Sequence, residues 1–412
     1  MEKVNVAFIG LGHRGLDLMQ TLTAVKGANI VALCDFYQER LEEANKILKE
    51  KTGNTAKLYK DYKEVLKDKD ICAVIVSTSW ETHISISIDA MKAGKITAME
   101  VGGAYNVQDC WNLVEAYEQT KTPFMLLENC CYDEFELLTT SLHRAGKLGE
   151  VVHCHGAYGH DLRNEIAGGN INKHYRLRNY LNRNCENYPT HELGPIAKLL
   201  DINRGNKMVS LVSVASKAVG MAEYVKSDKN KDDTIKDAKF MQGDIVNTII
   251  TCEDGSTISL RLDTTLPRYY SREFTVHATK GICTQEHRTV LLEEDCDMEK
   301  YYEPIKTVKE FINNADNYKE YAPKIWQEVT EEQIKLGHGG IDFFCLQAFI
   351  DCIINGEEMP IDIYDTASWY AITALSEISI KSGGAPQQIP DFTKGEWKNR
   401  PRKDVVKFPK IK

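Results

Sequence analysis

Residues 4–35 read VNVAFIGLGHRGLDLMQTLTAVKGANIVALCD, and the order of residue types along this stretch decides the fold. An apolar run, Val4–Ile9, leads into Gly10-Leu11-Gly12-His13-Arg14-Gly15. A helical pattern follows, then a second apolar run, 30–34, that ends on Asp35. Strand, G-x-G-x-x-G, helix, strand and acid is the order of a dinucleotide-binding unit. Gly10 permits the tight turn, Gly12 lets the backbone approach a pyrophosphate, and Gly15 lets the helix sit close to the sheet. The helix start offers unpaired N–H groups and the positive end of its dipole to the phosphates. Asp35 is spaced to accept both hydroxyls of an adenine ribose and would repel a 2′-phosphate, so the expected cofactor is NAD rather than NADP.

The alternation continues as helix 38–51, strand 71–76, helix 84–93 stopped by Gly94, strand 96–99, helix 107–119 and strand 124–127. The all-apolar strands suit a parallel sheet buried on both faces, and the pattern reads as a doubly wound domain over 1–128. The character then changes. After a helix at 135–145 come longer, alternating strands at 211–218, 245–252, 257–263, 274–278 and 289–293. Asp254-Gly255 joins two of them as a hairpin turn. The expected fold is therefore α/β: a Rossmann dinucleotide-binding domain, then an α+β domain over 129–412 with an open, mainly antiparallel sheet. Its late helices, 343–354 and 367–381, are free to pack on the sheet or on the first domain. The charged run 226–239 reads as a solvated loop, and the basic tail 398–412 as an extended arm.

With 42% hydrophobic and 27% charged residues among 412, the composition is that of an ordinary globular protein. A net charge of -9 argues against a nucleic-acid partner. No apolar stretch is long enough to span a bilayer, and Met1-Glu2-Lys3 runs straight into the first strand without room for a secretory signal. None of the 12 cysteines forms a C-x-x-C pair. Cys34, Cys72, Cys252 and Cys345 sit in apolar runs as small hydrophobes, so a cytoplasmic location is expected.

Ligands of such folds bind beyond the carboxyl ends of the strands. Three polar and aromatic clusters stand there, at 77–83, 100–103 and 128–132, as the rim of one cleft. Further on, Asn187-Tyr188-Pro189-Thr190-His191-Glu192-Leu193-Gly194-Pro195 gathers a phenol, a hydroxyl, an imidazole and a carboxylate ahead of an apolar helix. Taken alone, a capping Thr190 and a locally packed His191 explain it equally well. The stretches 158–163 and 267–270 are similarly dense. His153 and His155 share one face of a strand, but without a third ligand at a telling distance they are expected to pack or hydrogen-bond, and no metal is expected.

Taken together, these motifs make the chain similar to glycoside hydrolase family 109, the NAD-dependent α-N-acetylgalactosaminidases, within the glucose-fructose oxidoreductase and inositol dehydrogenase superfamily. The matching motifs run nearly end to end. They include G-x-G-x-R-G, the C-D after the second strand, W-E-x-H at Trp80, E-V at Glu100 and E-N-C-C-Y-D at Glu128. They continue through G-A-Y-x-H-D-L-R at Gly156, Y-P-T-H-x-L-G-P at Tyr188, I-N-R-G-N at Ile202, D-T-T-L-P-R-x-Y at Asp263, G-H-G-G at Gly337 and Y-D-x-A-S-W at Tyr364. Sugar dehydrogenases of the superfamily usually carry E-K-P where this chain has Glu100-Val101-Gly102, and valine cannot do acid–base work. The chain departs from the family at Gly102, where a proline is usual, at Glu192 (glycine) and at Tyr269 (proline).

The resemblance implies a glycosidase in which hydride leaves the sugar's 3-position, the acidified 2-hydrogen is removed, the aglycone is eliminated, water adds, and the hydride returns. It implies that His13, Arg14, Asp35, Trp80, His83, Glu100, Val101, Asn129 and Tyr188 contact NAD, beside the glycines of the loop. It likewise implies that Tyr158, Arg176, Tyr188, Thr190, His191 and Tyr270 line the sugar. Tyr188 and His191 are the expected proton-transfer residues, and Tyr270 is a candidate for positioning the sugar or assisting the leaving group. A net sugar or cyclitol dehydrogenase, or a non-catalytic NAD- and sugar-binding regulator, stands as the alternative. A homo-oligomer is expected, assembled through the second domain.

Overall fold

Six short strands, largely apolar except at the edge strand β3, build the first sheet: β1 (Val4–Ile9), β2 (Ala28–Cys34), β3 (Lys57–Tyr59), β4 (Ala73–Val76), β5 (Ile96–Met99) and β6 (Phe124–Leu126). All are parallel, in the order β3-β2-β1-β4-β5-β6. The helices between them are α1 (His13–Leu22), α2 (Gln38–Thr52), α3 (Tyr62–Lys67), α4 (Trp80–Lys92) and α5 (Val107–Thr120). Order reverses beside β1, which places the glycine loop at the crevice where such folds bind nucleotides. The whole of β4 is buried, as its uninterrupted apolar sequence requires. In this computed structural model residues 3–295 and 309–410 are described.

The chain forms two compact units, Met1–Asn129 with Val329–Ala371, and Cys130–Glu328 with Ile372–Lys412. The first break lies one residue beyond the boundary read at 128, and residues 329–371 group with the dinucleotide-binding unit. Within that unit the Ile341–Asn355 helix packs on α1 and β1.

In the second unit, α6 (Glu134–Arg144) precedes β7 (Val151–Gly159). Then come α7 (Arg163–Ala167), α8 (Arg176–Asn182) and α9 (Thr190–Leu199). The remaining strands are β8 (Met208–Ala215), β9 (Ile245–Cys252), β10 (Thr257–Asp263), β11 (Thr275–Ala278), β12 (Gly281–Thr284), β13 (Thr289–Leu292) and β14 (Gln387–Gln388). Their order is β13-β12-β11-β7-β10-β9-β8-β14. Every neighbouring pair is antiparallel except β7 with β10. The expected hairpin joins β9 to β10, with Gly255 at φ +90° in a conformation that side chains disfavour. Alternation along β9 buries Val246, Thr248, Ile250 and Cys252 and turns Asn247, Ile249 and Thr251 outward. One face of the sheet is therefore packed, partly by α9 on β7, and the other is open.

Three details differ from the sequence reading. Residues 80–83 are not a loop after β4 but the first turn of α4, which begins after an extended Ser79 with Glu81 favourably placed at the helix start. Strands β3 and β12 have too few residues, too little buried, to show an alternating signal. The tail from 398 has a short turn and then no regular structure to 410, yet it is anchored. Arg402 pairs with Asp201 at 2.8 Å, and Arg144 bridges Asp201 at 2.8 Å and Asp404 at 3.0 Å. Its last two residues lie outside the described ones. No disulfide links the described cysteines, nearly all of which are buried.

Candidate active site

The glycine loop meets its steric requirements position by position. Gly10 has φ +98°, and a Cβ there would lie 2.6 Å from the Ser77 carbonyl oxygen. A Cβ on Gly15 would lie 2.2 Å from the Gly10 carbonyl oxygen, so α1 can approach the strands only without a side chain. At Gly12 the added atom would meet only the Arg40 guanidinium, at 3.6 Å. That open position, at the amino end of α1, fits a pyrophosphate. His13 stands there with its side chain 89% exposed.

Asp35 ends β2 and braces the loop. Its Oδ2 accepts the Leu11 N–H at 2.7 Å and its Oδ1 accepts the Tyr37 N–H at 2.9 Å. Arg40 lies 3.8 Å from the same carboxylate. These bonds fix the Asp35 carboxylate at the end of β2, the position at which the sequence reading expects the ribose of NAD. Asp35→Ala is expected to weaken NAD by about 10-fold or more, the loss of a charged hydrogen bond. It should narrow the preference over NADP, because the repulsion is gone and Arg40 is released toward a 2′-phosphate. Calorimetric titration with both dinucleotides checks this, and tighter NADP binding by the unaltered protein would overturn the assignment.

The other residues matched to cofactor contacts separate into two groups. Trp80, His83 and Val101 are buried. The His83 ring lies 3.1 Å from the Thr78 carbonyl oxygen through Nε2, and burial pushes its pKa down to about 4, so it is neutral. Trp80 fills the space beside Gly102, where a Cβ would lie 2.7 Å from the indole. Arg14 and Asn129 instead converge on Asp342, at the start of the Ile341–Asn355 helix, and Glu100 joins them through Arg14. Arg14 forks onto both Asp342 oxygens at 2.6 and 2.8 Å and donates through Nε to Glu100 at 2.8 Å. The Asn129 amide donates to Asp342 at 2.6 Å, and His338 Nδ1 lies 2.8 Å away. Burial opposes ionisation of Asp342, but the Arg14 charge prevails and holds its carboxyl well below the usual range. Sequence reasoning noted the glycines around His338 but not Asp342. The available signal was an acid two residues after Gly337-His338-Gly339-Gly340, in the first turn of an otherwise largely apolar helix.

The residues matched to sugar contacts gather in the second unit, between β7 and the start of α9. Tyr158 lies at the end of β7, with its ring 4.6 Å from Tyr188 and 5.5 Å from His191. Tyr188 and His191 are 4.8 Å apart, edge to face, across the Pro189 turn that opens α9. Arg176, from α8, lies over Tyr188 at 4.9 Å and pairs with Glu165 at 2.6 Å. Thr190, the first residue of α9, is fully buried. Tyr270 joins the group through His160, with rings 5.2 Å apart, while His160 Nδ1 lies 3.2 Å from the Tyr158 hydroxyl. His160 was noted within its stretch but given no role, since nothing in the linear order places it between two tyrosines. Burial raises the Tyr158 pKa and lowers that of His160, keeping both neutral near pH 7.

Two departures from the family pattern have structural settings. Tyr269 is 70% exposed and donates to Glu286 at 2.9 Å. Glu192 is buried on α9 against β7, where a Cβ on Gly156 would lie 2.8 Å from its own Cβ. His153 and His155 hydrogen-bond with Thr257 and Ser259, and His155 also pairs with Glu273 at 3.1 Å.

Residues 4–127 match the family described as oxidoreductase family, NAD-binding Rossmann fold. A protein from Klebsiella pneumoniae described as an NAD binding oxidoreductase has a similar fold, with TM-score 0.69 at 15% identity over 95% of this chain and 100% of that one. Levoglucosan dehydrogenase, in complex with NADH and levoglucosan, reaches TM-score 0.68 at 16% identity over 94% of this chain and 100% of that one. Among sequence relatives, a glycosyl hydrolase family 109 protein of Phocaeicola vulgatus is 35% identical over 96% of both chains. An alpha-N-acetylgalactosaminidase of Shewanella oneidensis is 35% identical over 97% of this chain and 87% of its own length. Residues 132–399 match the C-terminal domain of glycosyl hydrolase 109. A Rossmann unit that meets the demands of NAD and a second unit carrying phenols, imidazoles and an arginine thus come together in a chain that belongs to glycosyl hydrolase family 109.

Proposed function

We propose that the protein is an NAD-dependent glycosidase that cleaves α-linked N-acetylhexosaminides, N-acetylgalactosaminides first among them, by oxidation, elimination, water addition and re-reduction. The observation that carries this reading is the Tyr158–Tyr188–His191 cluster beside Arg176. A conventional glycosidase needs two carboxylates flanking the scissile bond. Two carboxylates of the same unit near this cluster, Asp161 and Glu165, are held by Arg163 at 2.7 Å and Arg176 at 2.6 Å.

NAD, which the glycine loop and Asp35 would hold, would supply reversible hydride acceptance with no net redox change. The protein's residues then have proton and positioning work. His191 takes the 2-hydrogen, which an adjacent ketone makes acidic enough for an imidazole base. The Tyr188 hydroxyl exchanges the proton of the oxidised hydroxyl, a task closed to the buried Val101. Arg176, oriented by Glu165, offers donors to a sugar oxygen, and Tyr270 borders the same group through His160.

Turnover in deuterated water tests the route. Because the 2-hydrogen is removed and replaced, the released sugar is expected to carry deuterium at carbon 2, with no accumulation of NADH. Efficient cleavage without label would sink the elimination route. Stoichiometric NADH with an oxidised sugar would instead identify a dehydrogenase.

We also propose a homo-oligomer assembled through the second unit. On the open face of its sheet Val214 is 53% exposed and Ile249 46%, a surface suited to a symmetric partner. Light scattering at micromolar concentration should give a dimer or larger, and a monomer would rule the assembly out. No helix among the described residues is long and apolar enough to cross a membrane.

A further inference from the structure

Beneath Tyr270 lies a guanidinium whose donors are directed in a telling way. Arg272 is 5% exposed. Its Nε and Nη2 donate to Glu136 Oε1 at 2.9 and 2.7 Å, and Nη2 also pairs with Asp133 at 2.9 Å. Both carboxylates are themselves fixed. Asp133 caps α6 by accepting the Phe135 N–H at 3.1 Å, and Glu136 accepts from Gln285 at 3.1 Å. The Arg272 carbonyl oxygen accepts the Ala157 N–H at 2.6 Å, tying its backbone to β7 one residue from Tyr158. With one side of the fork so held, Nη1 donates to the Tyr270 hydroxyl oxygen at 3.2 Å.

A guanidinium has donors only and cannot accept a hydrogen bond. The Tyr270 oxygen is therefore the acceptor in this pair, and its own hydrogen must point away from Arg272. Tyr270 is 48% exposed, and its ring meets His160 edge to face. A cation donating to a phenol oxygen also strengthens that phenol as a donor. We propose that Arg272 is a positioning residue that makes Tyr270 an obligate hydrogen-bond donor to an acceptor oxygen of the sugar. The inference rests on the glycosidase reading above for its substrate. It adds a residue that does not touch the sugar and acts only through Tyr270.

The test is a double-mutant cycle of Tyr270→Phe, Arg272→Lys and the pair. Lysine keeps a charge against Asp133 and Glu136 but lacks the fork that reaches the phenol. With 4-nitrophenyl α-N-acetylgalactosaminide, each single change is expected to lower kcat/KM by about 10- to 100-fold, the range for one donor to a charged or strongly polarised oxygen. The double variant should be no worse than the poorer single one within about 2-fold, since independent contributions would multiply. Calorimetric NAD affinity should stay unchanged throughout. Multiplying losses, or a folded Arg272→Lys enzyme with unaltered kcat/KM, would overturn the proposal.

Should Arg272→Lys fail to fold, Asp133→Asn loosens the guanidinium while retaining its charge. Its loss should then vanish in the Tyr270→Phe background, and persistence there would overturn the proposal equally. Binding of free N-acetylgalactosamine, run as the same cycle, keeps the two readings apart. If unaltered enzyme leaves carbon 2 unlabelled, the elimination route falls. Non-additive weakening of sugar binding would still uphold the Arg272–Tyr270 pair, and additive weakening would refute it.

Discussion

His191→Ala is expected to lower turnover of an aryl N-acetylgalactosaminide by about 100- to 10,000-fold, the usual cost of losing a positioned acid or base. NAD affinity should be unaltered, because the glycine loop and Asp35 are built entirely by the first unit. Tyr188→Phe should fall in the same range. Removing a phenol hydroxyl at one corner of the aromatic group leaves the ring contacts to Tyr158 and His191 in place. The two variants separate by isotope. With its base removed, His191→Ala should lose exchange at carbon 2 together with cleavage. Tyr188→Phe acts at the oxidised hydroxyl and should slow hydride transfer first, which a substrate deuterated at carbon 3 reports as a larger kinetic isotope effect. Full exchange at carbon 2 in His191→Ala would remove His191 from the base role.

Asp342→Asn should cost about 3–5 kcal/mol of stability, the range for breaking a buried ion pair from one side. All of the contacts placed on Asp342 need an acceptor: two from Arg14, one from Asn129, and one from His338 when its Nδ1 carries the proton. An amide in that position turns an N–H₂ group toward donors and leaves Arg14 with Glu100 as its carboxylate partner among those described. The pH dependence follows from the depressed carboxyl pKa of the folded state. Asp342 contributes its full stability above the unfolded value of about 4 and loses it as pH falls through the lower folded value. Denaturant unfolding of the wild type and variant should therefore differ by a constant amount at neutral pH, with the gap closing only in acid. Equal stability at pH 7 would show that Arg14 finds compensation elsewhere.

The legible part of the fold was the part written in local periodicity. β1, α1, β2 and Asp35 announce themselves because a buried parallel strand must be apolar throughout and a phosphate turn must lack side chains. Trp80 to His83 misread as loop because Ser79 and Thr82 suit caps and turns as well as a helix start. β3 exposes Lys57 and Leu58, so it shows no pattern to read. For the site, the motifs located Tyr158, Tyr188, His191 and Tyr270. They did not show His160 between two of these rings or Arg272 beneath one of them, because both relations depend on strand pairing. The Gly159–Ser271 bridge that brings the 267–272 segment beside the end of β7 joins residues far apart in sequence. Asp342 escaped for a similar reason, since it meets Arg14 only when a late helix packs on α1.

Gly156 and Glu192 carry an evolutionary consequence. A buried side chain on α9 occupies the space that a side chain on β7 would need. A relative with glycine at the second position has room for a small residue at the first; this chain does not. Substitutions at the two sites are therefore epistatic in order. Gly156→Ala is relieved of this clash only by glycine at position 192, because any other residue there keeps the Cβ that a Gly156 side chain would meet.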